Sequence, residues 1–103
     1  MFVIVFYVPE THVDNVKEAL FNAGAGRIGK YSNCCWQVKG DGQFMPEEGS
    51  APYMGAKGEI TKVSEYRVEM VCKNEDAEKI KKALLAAHPY EMPAYHFIET
   101  KDI

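Results

Sequence analysis

The stretch from Gly40 to Gly58, GDGQFMPEEGSAPYMGAKG, holds five of the chain's eight glycines and two of its five prolines, and it separates two similar halves. An unstructured connection of that length is uncommon inside a compact domain and is usually a functional loop or a disordered linker. Disordered linkers are poor in aromatic and apolar side chains, whereas this one carries Phe44, Met45, Tyr53 and Met54. The expectation is a binding loop held partly by Phe44 and Tyr53.

Before the loop, Phe2 to Val8 is apolar at every position, so both faces of a strand there need cover. Val13, Val16, Leu20 and Ala23 then recur at helical spacing, which predicts a helix over 11–23 with Thr11 and Asp14 as its capping pair and Gly24 as its stop. AGAGRIG (23–29) closes that helix as a tight turn, unlike a dinucleotide fingerprint, which opens one. Tyr31 to Lys39 reads as a second strand, with Trp36 and Val38 on the face of Cys34.

After the loop, Lys62 to Lys73 alternates, with Tyr66, Val68, Met70 and Cys72 facing one way and Glu65, Arg67 and Glu69 the other. Asn74 is placed as the N-cap of a second helix whose buried stripe is Ala77, Ile80, Leu84 and Ala87. His88-Pro89 ends it, and Ala94 to Thr100 supplies the last strand. The fold class is α+β: one domain over 1–103, a ferredoxin-like β-α-β-β-α-β sandwich with a long loop between strands 2 and 3. Two helices cover one face of such a sheet, and a partner subunit is the simplest cover for the other.

Composition narrows the function. A net charge of −3, with twelve basic residues scattered among fifteen acidic ones, gives no basic stripe for nucleic acid. The apolar opening lacks a charged leader and stops at Pro9, and no run approaches a bilayer span, so neither secretion nor a membrane is expected. Three cysteines, two of them adjacent, fit a reducing cytoplasm. Cys34 and Cys35 point to opposite faces of a strand and read as buried thiols.

The run AGAGRIGKYSNCCW, followed in order by GDGQFMPEEGSAPYMG and HPYEMPAY, resembles the inserted domain of the NGG-one-interacting factor three-like proteins of the YqfO type, here standing alone. That domain is similar in fold to the PII signalling and CutA divalent-ion tolerance proteins. The resemblance covers nearly the whole chain. It implies a trimer that presses its open sheet faces together, and a loop between strands 2 and 3 that contacts partners. The metal site of the full-length family lies in flanking domains, so its hydrolytic activity is not carried over. His96 departs from the pattern, which has an acidic residue after PAY.

The densest polar cluster is HPYE. His88 and Glu91 are spaced to share a divalent metal or a proton, or His88 simply ends the helix while Glu91 pairs locally. Arg27 is placed to hold an anion beside the glycine turn or to serve the turn alone. Glu65, Arg67 and Glu69 suit ion pairs across strands or subunits, with a catalytic carboxylate pair as the sharper alternative. Pro89 and Pro93 stiffen the segment between them, so His88, Tyr90 and Glu91 are expected to border a cleft near a subunit boundary. The loop, with Phe44 and Tyr53, and the turn, with Arg27, would form its other walls. No nucleophile–base–orienter set is visible. The favoured function is a non-enzymatic, PII-like module for an unknown small-molecule or protein ligand, assembled as a homo-oligomer, trimer before dimer. The alternative is a divalent-metal-binding protein or small metal-dependent enzyme using His88 and Glu91, with His12.

Overall fold

The computed structural model describes Met1–Ile103. Its elements are β1 (Phe2–Pro9), α1 (Val13–Asn22), β2 (Trp36–Phe44), β3 (Thr61–Cys72), α2 (Ala77–Ala87) and β4 (Tyr95–Glu99). They form one antiparallel sheet in the order β2-β3-β1-β4, which puts the most apolar strand at the centre. This is the expected ferredoxin-like arrangement. No helix is long and apolar enough to cross a membrane.

Register divides the side chains between two faces, because directly paired residues share a face. Ile4, Phe6 and Val8 lie with Cys72, Met70, Val68 and Tyr66 on the helix side, where they pack with Val16 and Leu20 of α1 and Ile80 and Leu84 of α2. Most of these are fully buried. Each such side chain contributes about 1.5–3 kcal/mol relative to exposure, so this layer holds the fold. Both helices present the apolar stripe that the spacing implied.

The opposite face carries no helix. Val3, Val5 and Tyr7 share it with Glu65, Arg67, Glu69 and Val71, with Trp36 and Val38 of β2, and with His96 and Ile98 of β4. Val5 is buried there among its neighbours, whereas Trp36, Val38 and Ile98 are 59%, 44% and 50% exposed. The need for cover therefore falls on the flanks of the face more than on its central strand.

Several boundaries differ from expectation. The second strand starts at Trp36, not Tyr31, because Asn33 takes the left-handed φ of 57°, which an extended run cannot contain. Cys34 consequently leaves the strand, and its N–H donates to the Gly26 carbonyl at 2.8 Å. Cys34 is half-buried and Cys35 exposed, so of the three thiols Cys72 alone is in the core. The strand also runs on through Phe44, which takes Gly40 to Gln43 out of the loop and leaves 45–60 as the irregular connection.

The helix caps differ too. Val13 opens α1 after His12, and the Thr11 hydroxyl sits 2.8 Å from His12 Nδ1 instead of capping. Asn74 begins a short 3-10 turn (Asn74–Asp76) ahead of α2, with no side-chain cap.

Candidate functional site

The long hairpin β2–β3 carries Phe44 and Glu65 to one end of the open face, where Tyr7 of β1 meets them. Over that end fold two irregular segments, the 45–60 connection and the 88–94 link between α2 and β4. Together they wall a half-open cavity of about 270 Å³ lined by 13 residues.

His88 fixes the second segment. Its ring is buried, and Nε2–H donates to the Tyr7 carbonyl at 2.7 Å while Nδ1 accepts the Tyr90 N–H at 3.1 Å. The two bonds select the neutral tautomer. Burial lowers the imidazole's affinity for a proton, against the pull of the Tyr7 carbonyl. The ring takes the place of a ladder donor just beyond the start of β4: the Tyr7 N–H reaches the Ala94 carbonyl at 3.4 Å, while the Tyr7 carbonyl is met by His88.

Tyr90 then becomes the hub. Its ring lies 4.8 Å from that of His88, 5.8 Å from Phe44 and 6.4 Å from Tyr53, centroid to centroid. Tyr53 in turn stands edge-on to His12 at 5.7 Å. Such contacts each stabilise by roughly 0.5–1.5 kcal/mol beyond area, enough together to hold a short connection. The Tyr90 hydroxyl donates to Glu65 Oε2 at 3.3 Å. Burial, then the adjacent Glu65 carboxylate, push the phenol's pKa up, and burial pushes the Glu65 carboxyl up against the stabilising Tyr90 hydrogen bond. Glu91 secures the loop directly, its Oε1 accepting the Ala51 N–H at 3.1 Å.

Phe44, Tyr53, Tyr90 and Glu91 thus line one cavity, as their positions in the sequence suggested. His88 stands behind Tyr90 as its support and does not line it. Arg27 is exposed and elsewhere, because Gly26 N–H is tied to the Val71 carbonyl, far along the sheet from Glu65. Its turn contributes Ile28 to a separate shallow groove with Cys34, Cys35 and Trp36. The metal reading of His88 with Glu91 meets a physical obstacle: both ring nitrogens are used, and one Glu91 oxygen serves the loop. No three His, Cys, Asp or Glu side chains gather anywhere in the structure.

Glu65 lies on the face that alternation gives it, but its partner is not the expected one. Arg67 pairs with Glu69 at 3.2 Å, and Glu65 turns to Tyr90 instead. It can do so because its direct partner across the strands is Gly40, and its carboxylate lies where a side chain on Gly42 would stand. Two glycines at alternate positions opposite a carboxylate were the available signal.

No family model matches the chain. Over 91 residues, 88% of its length, it is 50% identical to a GTP cyclohydrolase 1 type 2 homolog of Mycobacterium leprae, and over 89 residues it is 42% identical to the Bacillus subtilis protein of the same name. In both, the chain spans only 24% of the curated relative. Among solved structures, a Bacillus cereus protein related to NIF3 superposes with a TM-score of 0.84 at 38% identity, over 98% of this chain and 26% of that one. The PII-like protein CutA of Nostoc sp. PCC 7120 superposes with a TM-score of 0.69 at 18% identity over 97% of this chain and 81% of its own, a likeness of fold.

Proposed function

We propose that the chain is a non-enzymatic, PII-like ligand-binding or regulatory module: a single domain over 1–103, cytoplasmic and homo-oligomeric, corresponding to the segment it matches in NIF3-related proteins. Its ligand enters the cavity between the 45–60 connection and the HPYE segment. The observation that carries this reading is the convergence of Phe44, Tyr53 and Tyr90, from three separate stretches, on one half-open cavity. A loop needing only to connect two strands has no reason to place its aromatic rings around a void.

The chemistry of the walls favours binding over turnover. Burial and Glu65 keep the Tyr90 phenol protonated, which suits a hydrogen-bond donor and not a nucleophile. The cyclohydrolase name belongs to relatives of which this chain matches 24%, and the cavity holds no paired base and nucleophile that would support extending it here. A trimer is the favoured assembly and a dimer the other, since exposed Trp36, Val38 and Ile98 leave an apolar face for a second copy.

A thermal-shift screen of the native assembly against metabolites and metals tests the proposal. A ligand present at 100 times its dissociation constant adds about 2.7 kcal/mol. The expected hit loses its effect in Tyr53→Ala, whereas hits that ignore that substitution, or product formation from the ligand, overturn the reading.

A further inference from the structure

The cavity has a charge as well as a shape. Of the residues lining it, two are glutamates, Glu65 and Glu91, and none is Lys, Arg or His. The two side-chain ion pairs of the protein are Lys39–Glu10 and Arg67–Glu69, so neither cavity glutamate has a cationic partner. Glu65 is half-buried and accepts one hydrogen bond, from the Tyr90 hydroxyl. Around these carboxylates stand Phe44, Tyr53 and Tyr90, whose ring faces carry negative potential, with Met54 and the flanking prolines completing an apolar wall.

Resting on the ligand-module reading, we infer that the ligand is a small organic cation: an ammonium or amine-bearing molecule with an apolar or aromatic body. The ammonium would sit against the rings of Tyr53, Tyr90 and Phe44 within reach of the Glu65 carboxylate, and the body would lie against the apolar part of the lining, Met54 included. Size agrees, because a cavity of about 150 Å³ accommodates benzene, and the 270 Å³ here leaves room for one ring and a short charged arm. Nucleotides, phosphates and carboxylates are disfavoured, since each would place its charge beside two unneutralised glutamates with no basic side chain to receive it. Burial disfavours the ionised form of the Glu65 carboxyl, against the Tyr90 hydrogen bond, and an entering cation would offset that cost.

Three soluble probes that share a phenyl body separate the possibilities: phenethyltrimethylammonium, 3-phenylpropan-1-ol and 3-phenylpropanoate, each titrated into the native assembly and followed by protein NMR. The ammonium is expected to shift signals of Tyr53 and Tyr90 and to bind roughly ten-fold tighter than the alcohol, with the carboxylate weakest. Glu65→Gln should erase most of the preference for ammonium over alcohol, with circular dichroism confirming the fold. Tyr53→Leu, at an exposed position, should do the same in part without touching Glu65. Equal binding of all three probes overturns the charge assignment and leaves the ligand module standing. Tighter binding of the carboxylate also overturns it. Absence of any shift at Tyr53 and Tyr90 with millimolar probe removes both the assignment and the cavity as a ligand site.

Discussion

The Nε2–H of His88 donates to the carbonyl oxygen of Tyr7 across 2.7 Å, joining residues 81 apart in sequence. This bond ends the sheet and starts the site. It satisfies the Tyr7 carbonyl just beyond the start of β4, and through Nδ1 it aims the backbone of Tyr90, whose side chain organises the cavity.

Loss of that link should be felt as stability. His88→Ala leaves the Tyr7 carbonyl and the Tyr90 N–H unpaired, and is expected to cost about 1–3 kcal/mol in urea denaturation. The pH dependence follows from the sign of the shift. The folded imidazole holds its proton less tightly than the unfolded one, so the unfolded state takes up protons first and wild-type stability falls as pH drops below the ordinary 6.5. Glu65 acts oppositely: its raised pKa lets the folded state keep the proton longer, and stability falls as pH rises from the ordinary 4.5 through that higher value. Because Tyr90 links His88 to Glu65, the comparison is made in a Glu65→Gln background, where both proteins keep His12 and the difference between their stability curves reports His88. A difference that does not shrink between pH 7 and pH 5 would contradict the buried neutral tautomer.

Glu91→Ala removes the acceptor for the Ala51 N–H from a solvent-exposed carboxylate. The expected cost to global stability is under about 1 kcal/mol. Local protection should suffer more, with amides near Ala51 exchanging faster and any cavity ligand binding more weakly. A large drop in melting temperature with unchanged exchange in the loop would mark Glu91 as an architectural clamp for the 88–94 link.

Much of this arrangement is legible in the chain because periodicity reports burial. Val16, Leu20, Ile80 and Leu84 keep helical spacing since the sheet needs a continuous apolar lid, and Tyr66 to Cys72 alternates since one side faces that lid. The caps were not legible. Thr11 and Asn74 have capping chemistry, yet Thr11 is drawn to the His12 ring and Asn74 into a 3-10 turn, outcomes set by neighbours and not by type. Glu65 was hidden for a related reason: alternation assigns it a face, but which partner it takes on that face depends on strand register with Gly40 and Gly42. Arg27 is expected to wall the same cleft, but its turn is tied by Gly26 to the far end of β3, which the chain order does not reveal.

Gly42 offers a direct test of the register argument. A methyl group there would collide with the Glu65 carboxylate, whereas one at Gly40 meets nothing within 4 Å. Gly42→Ala should therefore swing Glu65 away from Tyr90 and move the Tyr90 phenol back toward its ordinary pKa, since Glu65 is one cause of its elevation. Gly40→Ala should leave the phenol unchanged. Spectrophotometric titration, with Tyr90→Phe to identify the signal, measures both, and equal behaviour of the two alanine variants would show that Glu65 is not positioned by the space above Gly42.

The open face supplies the last test. Trp36 pairs with Glu69, two residues from Val71 along β3, and is more than half exposed; Val38 and Ile98 extend the apolar surface on either side of β3 and β1. A side chain the size of tryptophan, left in water on a face that no helix covers, is worth roughly 1.5–3 kcal/mol when buried against another copy, and symmetry repeats that gain at every interface. Trp36→Glu places a charge at the same position without touching the helix-side core, where Ile4, Phe6, Leu20 and Leu84 carry the fold. Light scattering at micromolar concentration should find the wild-type protein as an oligomer, most simply a trimer, and the variant as a folded monomer with an unchanged circular dichroism spectrum. If the wild type is itself monomeric, the apolar flank has another purpose. If the variant unfolds instead of dissociating, Trp36 supports its own subunit, and Ile98→Glu on the opposite edge becomes the substitution that decides whether the face is an interface.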